Sequence, residues 1–595
     1  MSRFAAKKGA NIKNFLLNVY RLAKPFFADK DERTVAWAML VAILGINVLT
    51  VGIAVLVSYS YNLIFTALSN HNGPAFFSAV FLYGRTASGR LVPGYCELVG
   101  LFVPAAMYGI YLKGMLELRW RRWLTRDTTA RWLAHRNYLR LVQSPDGSAS
   151  DNPDQRIQED IPAVTHHAVI LTAGFFSNLL SLVSFVGVLW SLSGSMALFG
   201  IAIPGSLVWI ALAYAITGTW VTHLVGRPLS PLNFEQQRRE ADFRFSLVRV
   251  REHAEGIAFH QGESQEARII DDRFHLAFRN YERIVNRKKI LTGVTAGYSQ
   301  ISVVFGMLIA APAYFAGSIT LGAFQQIGGA FGEVQSAFSW LVTNYADLAQ
   351  WHAEVERLVL FRDTLNAPPQ NSSLILHTGG EDRLIVDALR LRRPDGQSLA
   401  GPISFGAARG DRIDIVGRSG AGKSTMLRAL AGLWPQASGE LTVPNERVAF
   451  LPQRPYLPLG SLRMVLAYPA DADTYSSDQL DAVLRDVDLS TLVGALDDAS
   501  DWSKRLSPGE QQRLAIARVL LARPDWLFLD EATASLDRNG EALVDRLLST
   551  HLVNAGIVSV SHRDFFAAPA SQTIDIGEAG QPPDERTRLS EGTRV

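Results

Sequence analysis

The stretch Gly417–Thr425, GRSGAGKST, decides the fold of the second half of this chain. It follows the apolar run RIDIV and precedes the helical pattern TMLRALAGLW, so a glycine-rich loop joins a predicted strand to a predicted helix. Glycines let backbone N–H groups approach phosphate oxygens, and the helix N-terminus adds the positive end of its dipole. We expect Lys423 to contact the β- and γ-phosphates of a nucleotide and Ser424 to bind Mg²⁺. The predicted nucleotide-binding residues of this loop are Gly417, Ser419, Gly420, Gly422, Lys423, Ser424 and Thr425.

Polar residues end several apolar runs that follow this loop. WLFLDEA predicts a buried strand ending in Asp530, which suits the Mg²⁺ shell, and Glu531, which is placed to act as general base on the attacking water. FLPQRPY supplies Gln453, whose neutral side chain can contact both metal and water. SVSHR ends another apolar run and presents His562 near the γ-phosphate. We therefore predict nucleotide hydrolysis, with Lys423, Glu531 and His562 as catalytic residues.

A second phosphate-binding turn is predicted in LSPGEQQRLAIARVLL. A turn of small residues precedes a long amphipathic helix, so Ser507 and Gly509 would present a hydroxyl and a backbone N–H to a phosphate at the helix N-terminus. Taken singly, these segments also fit a capped helix, an acid at a strand end or a buried histidine. Their order and spacing together favour one nucleotide site.

Residues 384–565 resemble an ABC-type nucleotide-binding domain. GRSGAGKST resembles Walker A, LFLDE resembles Walker B, and LSPGE resembles the family signature, with Pro508 and Glu510 where many members carry Gly and Gln. Family members often carry an aromatic residue that stacks on adenine upstream of Walker A. Arg392 or Arg393 stands there in this chain, and a guanidinium can also stack on a base.

The resemblance implies ATP as the nucleotide and a homodimer as the working form. Each ATP would lie between Lys423 of one chain and Ser507 of the other, and one chain carries a single copy of the domain. The remaining ATP-contacting residues implied are Gln453 of the Q-loop, Gly509 of the signature and Asp537, which ends the D-loop ATASLD. The implied Mg²⁺ ligands are Ser424, Gln453 and Asp530.

The first half of the chain is apolar over long intervals. No Asp, Glu, Lys or Arg occurs between Arg33 and Arg85, between Asp160 and Arg227, or between Lys289 and Glu333. A membrane-spanning helix needs about 20 apolar residues, and these runs are too long and too free of charge for buried helices of a soluble core. We predict six spans, near Val35–Tyr59, Glu97–Met115, Ala168–Leu192, Ala197–His223, Ile290–Ala311 and Ile319–Tyr345.

Charge in the loops predicts the orientation of these spans. Lys and Arg are concentrated at the N-terminus and in residues 113–161 and 227–289, whereas the opposite loops carry only Arg85 and Arg90. Because positive segments stay in the cytoplasm, we expect both termini and the nucleotide-binding domain there. The net charge of +2 does not suggest nucleic-acid binding.

The predicted fold is a multidomain membrane protein with an all-α six-helix transmembrane domain of the type IV, exporter-like ABC class and an α/β P-loop NTPase domain. A basic amphipathic segment precedes the spans and lies at the membrane surface, and a Pro/Asn/Ser/Gly-rich linker separates the domains. The predicted boundaries are 1–33 for the amphipathic elbow, 34–365 for the transmembrane domain, 366–383 for the linker, 384–580 for the nucleotide-binding domain and 581–595 for a polar tail.

Both halves carry cues to a narrower family. AGLWPQASGEL and FLPQRPYLPLGSLR resemble the branch that contains peroxisomal fatty-acyl transporters and YddA-like proteins. LRWRRWLT, NPDQRIQEDI and EGIAFHQGE resemble the SbmA/BacA-type membrane domain, here fused to its own ATPase as in the BclA group. The resemblance implies a bacterial inner-membrane transporter whose relatives take up antimicrobial peptides, bleomycin or cobalamin. The alternatives are an exporter or flippase of lipid or fatty-acyl substrates, and a membrane ATPase that acts as a gate.

Polar residues inside the helical half are candidates for further roles. Glu333 and Asn178 are predicted to line a cavity, because ionisable and polar groups within spans usually face a pathway. For Glu333 the competing explanation is that the sixth span begins later. In NPDQRIQEDI, a loop segment before the third span, we expect four residues to couple the ATPase to transport, with a capped helix carrying solvated charges as the alternative. These residues are Gln155, Arg156, Glu159 and Asp160.

Overall fold

The computed structural model describes residues 2–86, 89–143, 152–193, 204–367, 373–378, 383–443, 447–560 and 570–576. The chain forms two compact units. The helical unit comprises Met1–Val142 and Ser148–Ala367, and the α/β unit comprises Gln143–Gly147 and Pro368–Val595.

The helical unit consists of long helices with a single small hairpin among its described residues. In chain order its helices are α1 (Ser2–Ala28), α2 (Arg33–Ser69), α3 (Gly73–Phe81), α4 (Tyr95–Leu133), α5 (Asn137–Gln143), α6 (Pro153–Gln155), α7 (Ile161–Ser193), α8 (Ser206–Gly226), α9 (Leu229–Glu252), α10 (Ala254–Phe259), α11 (Glu263–Phe315), α12 (Leu321–Thr343) and α13 (Tyr345–Asn366). A π-helical turn, Arg156–Asp160, joins α6 to α7. The hairpin pairs β1 (Tyr83–Arg85) with β2 (Leu91–Pro93) between α3 and α4.

Among the described residues, five helical stretches are long and apolar enough to cross a membrane. They are Arg33–Ser69, Tyr95–Gln143, Pro153–Ser193, Ser206–Glu252 and Glu263–Phe315. Each includes one of the first five predicted spans, apart from the start of the fourth, which falls on 194–203, outside the described residues. The sixth predicted span corresponds to α12, which is not among these five stretches, so its crossing of the membrane stays a prediction.

Several of these helices are longer than a bilayer is thick. The 53 residues of α11 extend for about 80 Å at the α-helical rise, against about 30 Å of hydrocarbon. The charged residues of α11 lie in its first half, before the apolar run that starts at Ile290. By composition, only the second half of α11 is therefore suited to the membrane.

The centre of the helical unit is built around α12. Ile327, Ala330, Phe331 and Val334 on this helix are completely buried. They pack in one cluster with side chains of α7, α8 and α11. The spacing 327, 330, 331, 334 places these residues on one face of the helix. The other face of α12 carries Glu333 and several glycines.

Ion pairs join the start of α2 and the helix α13 to α4. Glu32, which precedes α2, accepts hydrogen bonds from Arg119 (2.8 Å) and Arg122 (2.7 Å) of α4. Arg362 of α13, nine-tenths buried, donates to Asp127 of α4 at 2.6 Å. Burial lowers the pKa of Arg362, with the neighbouring Asp127 acting in the opposite direction. Because a buried charge without a partner is strongly destabilising, these pairs hold α13 against α4.

The last turn of α13 is held by side chains from the segment that follows α4. Arg140 donates to the carbonyl oxygens of Thr364 (2.5 Å) and Ala367 (2.6 Å). Asn137 donates to the carbonyl oxygen of Leu365 at 3.0 Å. The C-terminal carbonyls of a helix have no partners within the helix, so these donors satisfy them and fix where the helix ends.

The α/β unit contains two main sheets. Its strands are β3 (Ser373–Thr378), β4 (Arg383–Arg392), β5 (Ser398–Ala408), β6 (Arg412–Val416), β7 (Ala437–Val443), β8 (Val448–Leu451), β9 (Gly460–Ser461), β10 (Ala499–Ser500), β11 (Trp526–Asp530), β12 (Gly556–Val560) and β13 (Gln572–Asp575). Its helices are α14 (Lys423–Leu430), α15 (Leu462–Ala467), α16 (Ser477–Asp486), α17 (Trp502–Arg505), α18 (Pro508–Ala522) and α19 (Arg538–His551). The parallel sheet has the order β13-β6-β12-β11-β8, and the mixed sheet has the order β3-β7-β4-β5.

The segment predicted as a linker, 366–383, contains the strand β3. Residues Ser373–Thr378 pair in parallel with β7, and Leu374 is buried in the core of the α/β unit. The apolar run LIL is short and lies between turn-forming residues, so only its long-range pairing with β7 distinguishes it from a linker.

Candidate nucleotide-binding site

The glycine-rich loop connects β6 to α14, as the sequence predicted. Residues 413–415 of β6 are buried in the parallel sheet, so the loop starts at the carboxyl end of an internal strand. Gly422 adopts φ 104° at the N-cap of α14, and a Cβ on Gly417 (φ 150°) would come within 2.9 Å of the Ile576 carbonyl oxygen. Other residues rarely adopt these conformations, so the glycines are required to form this loop.

Lys423 is the first residue of α14 and is 94% buried. Its Nζ donates to the carbonyl oxygen of Gly417 at 2.8 Å and lies 3.5 Å from that of Arg418. The ammonium group therefore lies over the loop, whose backbone N–H groups are expected to hold phosphates.

Ser424 and Asp530 meet beside the loop. The Ser424 hydroxyl donates to Asp530 Oδ1 at 2.8 Å, which joins the start of α14 to the carboxyl end of β11. Burial raises the pKa of Asp530, the Ser424 hydrogen bond opposes this rise, and the neighbouring Glu531 adds to it. A hydroxyl and a half-buried carboxylate at hydrogen-bond distance are hard oxygen ligands, the kind that Mg²⁺ prefers.

Gln453 and Glu531 form a second contact at the same edge of the sheet. Gln453 Nε2 donates to Glu531 Oε2 at 2.9 Å. Glu531 has φ 49°, in the left-handed region that non-glycine residues seldom adopt. Its backbone N–H donates to the Val560 carbonyl oxygen at 3.0 Å, which fixes this conformation. Strained residues are concentrated at functional sites. Here the strained backbone conformation belongs to Glu531, the predicted general base.

Gln512 is a residue of the site that the sequence analysis did not identify. It lies on α18, is 97% buried, and its Nε2 donates to the Gln453 carbonyl oxygen at 3.3 Å. Its Oε1 accepts from the Ser535 backbone N–H at 3.0 Å. Gln512 thus links the segments that carry Gln453 and Asp537. The available signal was a polar residue within an otherwise apolar helix face.

The predicted signature turn forms the start of α18. Ser507 is the N-cap: its backbone N–H and its hydroxyl each donate to Glu510 Oε2 at 2.8 Å, and its Oγ accepts from the Glu510 N–H at 3.4 Å. The Ser507 hydrogen bonds lower the pKa of Glu510. A Cβ on Gly509 would come within 3.2 Å of the Ser535 carbonyl oxygen, so this position suits glycine.

Of the remaining predicted site residues, the structure describes Asp537, Arg392 and Arg393. Asp537 is the N-cap of α19 and accepts from the Gly540 N–H at 2.8 Å. Arg392 and Arg393 are exposed at the turn between β4 and β5. His562, predicted to be catalytic, lies outside the described residues.

Glu333 lines a cavity of about 740 Å³ in the helical unit, whose other lining residues are mainly apolar. Asn178, on α7, donates to the Gly174 carbonyl oxygen of its own helix at 2.9 Å and is not among the described residues that line this cavity.

The four predicted coupling residues form two pairs at the π-helical turn before α7. Arg156 and Asp160 are buried and form an ion pair, and Asp160 also accepts from Arg357 of α13 at 2.6 Å. Gln155 donates to Glu159 at 2.8 Å on the exposed side.

Comparison with known proteins identifies the family. Residues 22–315 match the family described as ABC transporter transmembrane region 2, and residues 400–534 match the family described as ABC transporter. An uncharacterized ABC transporter ATP-binding protein of Haemophilus influenzae is 34% identical, with 91% of this chain and 88% of the relative covered. The inner membrane ABC transporter ATP-binding protein YddA of Escherichia coli is 32% identical, with 93% and 96% covered.

A plant relative and a solved structure also resemble this chain over nearly its whole length. The chloroplastic ABC transporter D family member 2 of Arabidopsis thaliana is 30% identical, with 97% of this chain and 88% of the relative covered. A solved structure of a bacterial Atm1-family ABC exporter with ATP bound superposes with a TM-score of 0.72 at 18% identity, over 94% of this chain and 98% of that chain. At this identity the likeness shows the fold alone. The chain belongs to the ABC transporter family, and it joins a membrane-spanning helical unit to an ATP-binding unit whose hydrolysis of ATP is coupled to transport.

Proposed function

We propose that the protein is a homodimeric transporter in which two α/β units close around two ATP molecules. The arrangement that supports this proposal most directly is the pair of contacts beside the glycine-rich loop, Ser424 with Asp530 and Gln453 with Glu531. Both contacts lie at the carboxyl edge of a parallel sheet, where α/β proteins bind nucleotides. The Ser507 turn would complete the site of the partner chain.

The residues of the site divide the steps of ATP hydrolysis among them. Lys423 stabilises the charge of the transferred phosphoryl group, Glu531 accepts a proton from the attacking water, and His562 acts near the γ-phosphate. Gln453 orients Glu531 through its 2.9 Å hydrogen bond. Ser424, Gln453 and Asp530 would hold Mg²⁺, which neutralises phosphate charge when it is bound.

Replacing the general base tests this mechanism. In Glu531→Gln, ATP turnover of the full-length protein in nanodiscs should fall by about 100-fold or more, because general-base catalysis is lost. The variant should retain bound ATP and form a nucleotide-dependent closed dimer, detected by native mass spectrometry. The matched control is Glu440→Gln, at an exposed residue of β7, and it should turn over ATP normally. Near-normal turnover in Glu531→Gln would mean that another group is the base.

For the cargo, we propose uptake across the bacterial inner membrane of antimicrobial-type peptides and other bulky hydrophilic solutes such as bleomycin and cobalamin. The support is the resemblance of LRWRRWLT, NPDQRIQEDI and EGIAFHQGE to SbmA/BacA-type membrane domains. Both termini and the α/β unit would then be cytoplasmic, in agreement with the basic loops, and α12 would be the sixth span.

Export or flipping of lipid or fatty-acyl substrates is the second candidate. It is favoured by the largely apolar lining of the cavity that contains Glu333, and the structurally similar Atm1-family protein is an exporter. Vesicles of both orientations, with ATP on one side and labelled peptide, cobalamin, bleomycin or a fluorescent phospholipid added outside, separate the two candidates. ATP-dependent movement of the hydrophilic solutes into right-side-out vesicles supports uptake, and movement of the phospholipid alone supports the second candidate.

A further inference from the structure

We propose that the cavity beside α12 recognises an amphipathic organic cation, with its positive group at Glu333 and a hydrogen-bond acceptor at Gln326. The proposal rests on the proposed transport function, because it names the chemical class of the cargo. The cavity, of about 740 Å³, is formed by α2, α4, α7, α11 and α12 of the helical unit. This volume is in the range of sites that take drug-sized molecules.

The charge of the lining favours a cation. Of the described residues around the cavity, Glu333 is the only Asp or Glu, and none is Lys, Arg or His. Glu333 Oε2 accepts one hydrogen bond, from the Ser181 hydroxyl at 3.3 Å. A carboxylate can accept several more. Glu333 is exposed, so its carboxylate can accept charge-assisted hydrogen bonds from a bound cation.

Aromatic rings in the same lining as Glu333 add a second feature suited to cations. Tyr61 of α2 and Tyr95 of α4 line the cavity with ring centroids 5.4 Å apart, and their hydroxyls are 3.5 Å apart. Phe65 and Phe102 lie in the same lining. The faces of aromatic rings attract organic cations, and aromatic cages are used to bind quaternary ammonium groups.

A polar group in the same lining lacks a partner. Gln326 is 98% buried, and its Oε1 accepts from Asn62 Nδ2 at 2.6 Å. Among the described residues, nothing accepts a hydrogen bond from Gln326 Nε2. Leaving a buried donor unpaired is unfavourable. A rotation of the Gln326 amide toward the cavity would pair it with a cargo acceptor such as a carbonyl or sulfonyl oxygen.

The spacing of the two groups predicts the shape of the cargo. Gln326 and Glu333 are seven residues apart on α12, two turns of the same face, or about 10 Å along the helix axis. Gly329 and Gly332 lie between them, and a Cβ on either would meet no other atom within 4 Å. The wall is therefore flat and open, and it accommodates an apolar chain that separates the cation from the acceptor.

Three probes that differ only at one end test the proposal. Dansylcadaverine carries a sulfonyl acceptor, a pentyl chain and an ammonium group. Its N-acetyl derivative is neutral, and dansyl-6-aminohexanoate carries a carboxylate instead. Binding to full-length protein in phosphatidylcholine nanodiscs, without ATP, is followed by dansyl fluorescence, with empty nanodiscs subtracted. Dansylcadaverine should bind at least about tenfold more tightly than either analogue.

Variants of the chain locate the site. Glu333→Gln should remove the preference for the cationic probe. Gln326→Leu should weaken the binding of all three probes, while the preference for the cationic probe remains. Gly329→Leu should fill the space and reduce binding of every probe. Glu97→Gln is the matched control, since Glu97 is an exposed carboxylate of α4 outside this lining, and it should bind like the unaltered protein.

Folding of each variant is checked by an unchanged thermal unfolding midpoint of the full-length protein in nanodiscs. Equal binding of the cationic and neutral probes, or a cation preference that survives in Glu333→Gln, would overturn the proposal. Because these measurements need no ATP and the Glu531→Gln experiment needs no cargo, the cargo class and the transport mechanism can fail separately.

Discussion

At the scale of single residues, the signature turn departs from the family pattern in a way that the structure explains. Glu510 stands where many members carry Gln, and its carboxylate accepts from both the N–H and the hydroxyl of Ser507. These are the donors expected to contact the partner chain's ATP. An acidic side chain at a helix N-terminus stabilises the helix, but it repels an incoming phosphate.

We therefore predict that Glu510→Gln strengthens the ATP-dependent dimer. In the same chain, Ser476 and Gln479 form an identical capping box at α16, with Gln479 Oε1 accepting from the Ser476 N–H at 2.9 Å, so glutamine preserves the cap. In the Glu531→Gln background, the ATP concentration at which half of the protein forms the closed dimer should fall about fivefold. This change is equivalent to about 1 kcal/mol. Asp478→Asn, in the first turn of α16, should have no effect. A weaker dimer in Glu510→Gln would show that the charge assists closure.

Asp525 gives a pH-dependent prediction. It is buried, with Arg409 Nη2 2.6 Å from its Oδ1 and Arg447 Nε 3.2 Å from its Oδ2. Burial acts to raise its pKa, but the hydrogen bonds from Arg447 and the charges of both arginines together hold that pKa below its ordinary value.

A lowered pKa in the folded protein stabilises the fold above the unfolded-state value of about 3.9. The stabilisation is lost as the pH falls through the lower, folded-state pKa. Asp525→Asn should therefore lower the unfolding temperature of the α/β unit by several degrees at pH 7. The difference from the unaltered protein should shrink below about pH 4, measured by thermal unfolding of the full chain across pH. A difference that stays constant down to pH 3 would contradict the assignment.

At the scale of elements, α8 and α11 are joined by a reciprocal tyrosine pair. The Tyr214 hydroxyl donates to the Tyr298 carbonyl oxygen at 2.8 Å, and the Tyr298 hydroxyl donates to the Tyr214 carbonyl oxygen at 3.0 Å. Their rings stack with centroids 4.6 Å apart. The Tyr298 ring lies against Gly218 of α8, where a Cβ would be 2.0 Å from Tyr298 Cζ.

Gly218→Ala should therefore destabilise the helical unit, because the Tyr298 ring must move and both hydrogen bonds suffer. Thermal unfolding in nanodiscs should show a lower midpoint, and the effect should be smaller in a Tyr298→Ala background, which removes the clashing ring. Gly293→Ala on α11 is the matched control, because a Cβ there meets nothing within 4 Å. Equal effects of Gly218→Ala in both backgrounds would show that the ring is not the cause.

The π-helical turn before α7 carries the coupling prediction. Asp160 bridges Arg156 and Arg357 of α13, and Glu159 lies on the exposed side. We predict that Arg156→Ala combined with Glu159→Ala reduces transport while ATP hydrolysis continues. Cargo uptake and ATP turnover are measured in the same vesicles, with Asp154→Asn as the control at a neighbouring acidic residue. Uptake at the level of the unaltered protein would reject a role for these residues in coupling.

The sequence predicted best those elements whose signals are local. The loop at 417–425 and the Walker-type strand ending in Asp530 follow from spacing within a few residues, and both lie where they were expected. The strand β3 and the bridging role of Gln512 depend on partners far along the chain, β7 and Ser535, so local patterns do not show which segments they contact. In α12 the glycines and polar residues that form a cavity wall also weaken the apolar signal of a span.

At the scale of the whole molecule, the proposed homodimer has a consequence for mixed subunits. If Lys423 and Ser507 from different chains build each site, placing Lys423→Ala in one subunit and Ser507→Arg in the other leaves one intact site per heterodimer. Placing both substitutions in one subunit beside an unaltered one leaves none. Purified heterodimers with distinct affinity tags should therefore hydrolyse ATP in the first arrangement alone. The opposite result would mean that each site is completed within its own chain.

The hold of Arg140 on the last turn of α13 bears on how this chain can be engineered. Since Arg140 donates hydrogen bonds to the carbonyl oxygens of both Thr364 and Ala367, the C-terminal turn of α13 is fixed and does not fray. Extra residues inserted after Ala367 would lengthen the tether to the ATPase without shifting its point of attachment. Changes at Arg140 would shift that point. Insertions after Ala367 are therefore the appropriate way to measure how long a connection between the helical unit and the ATPase still supports transport.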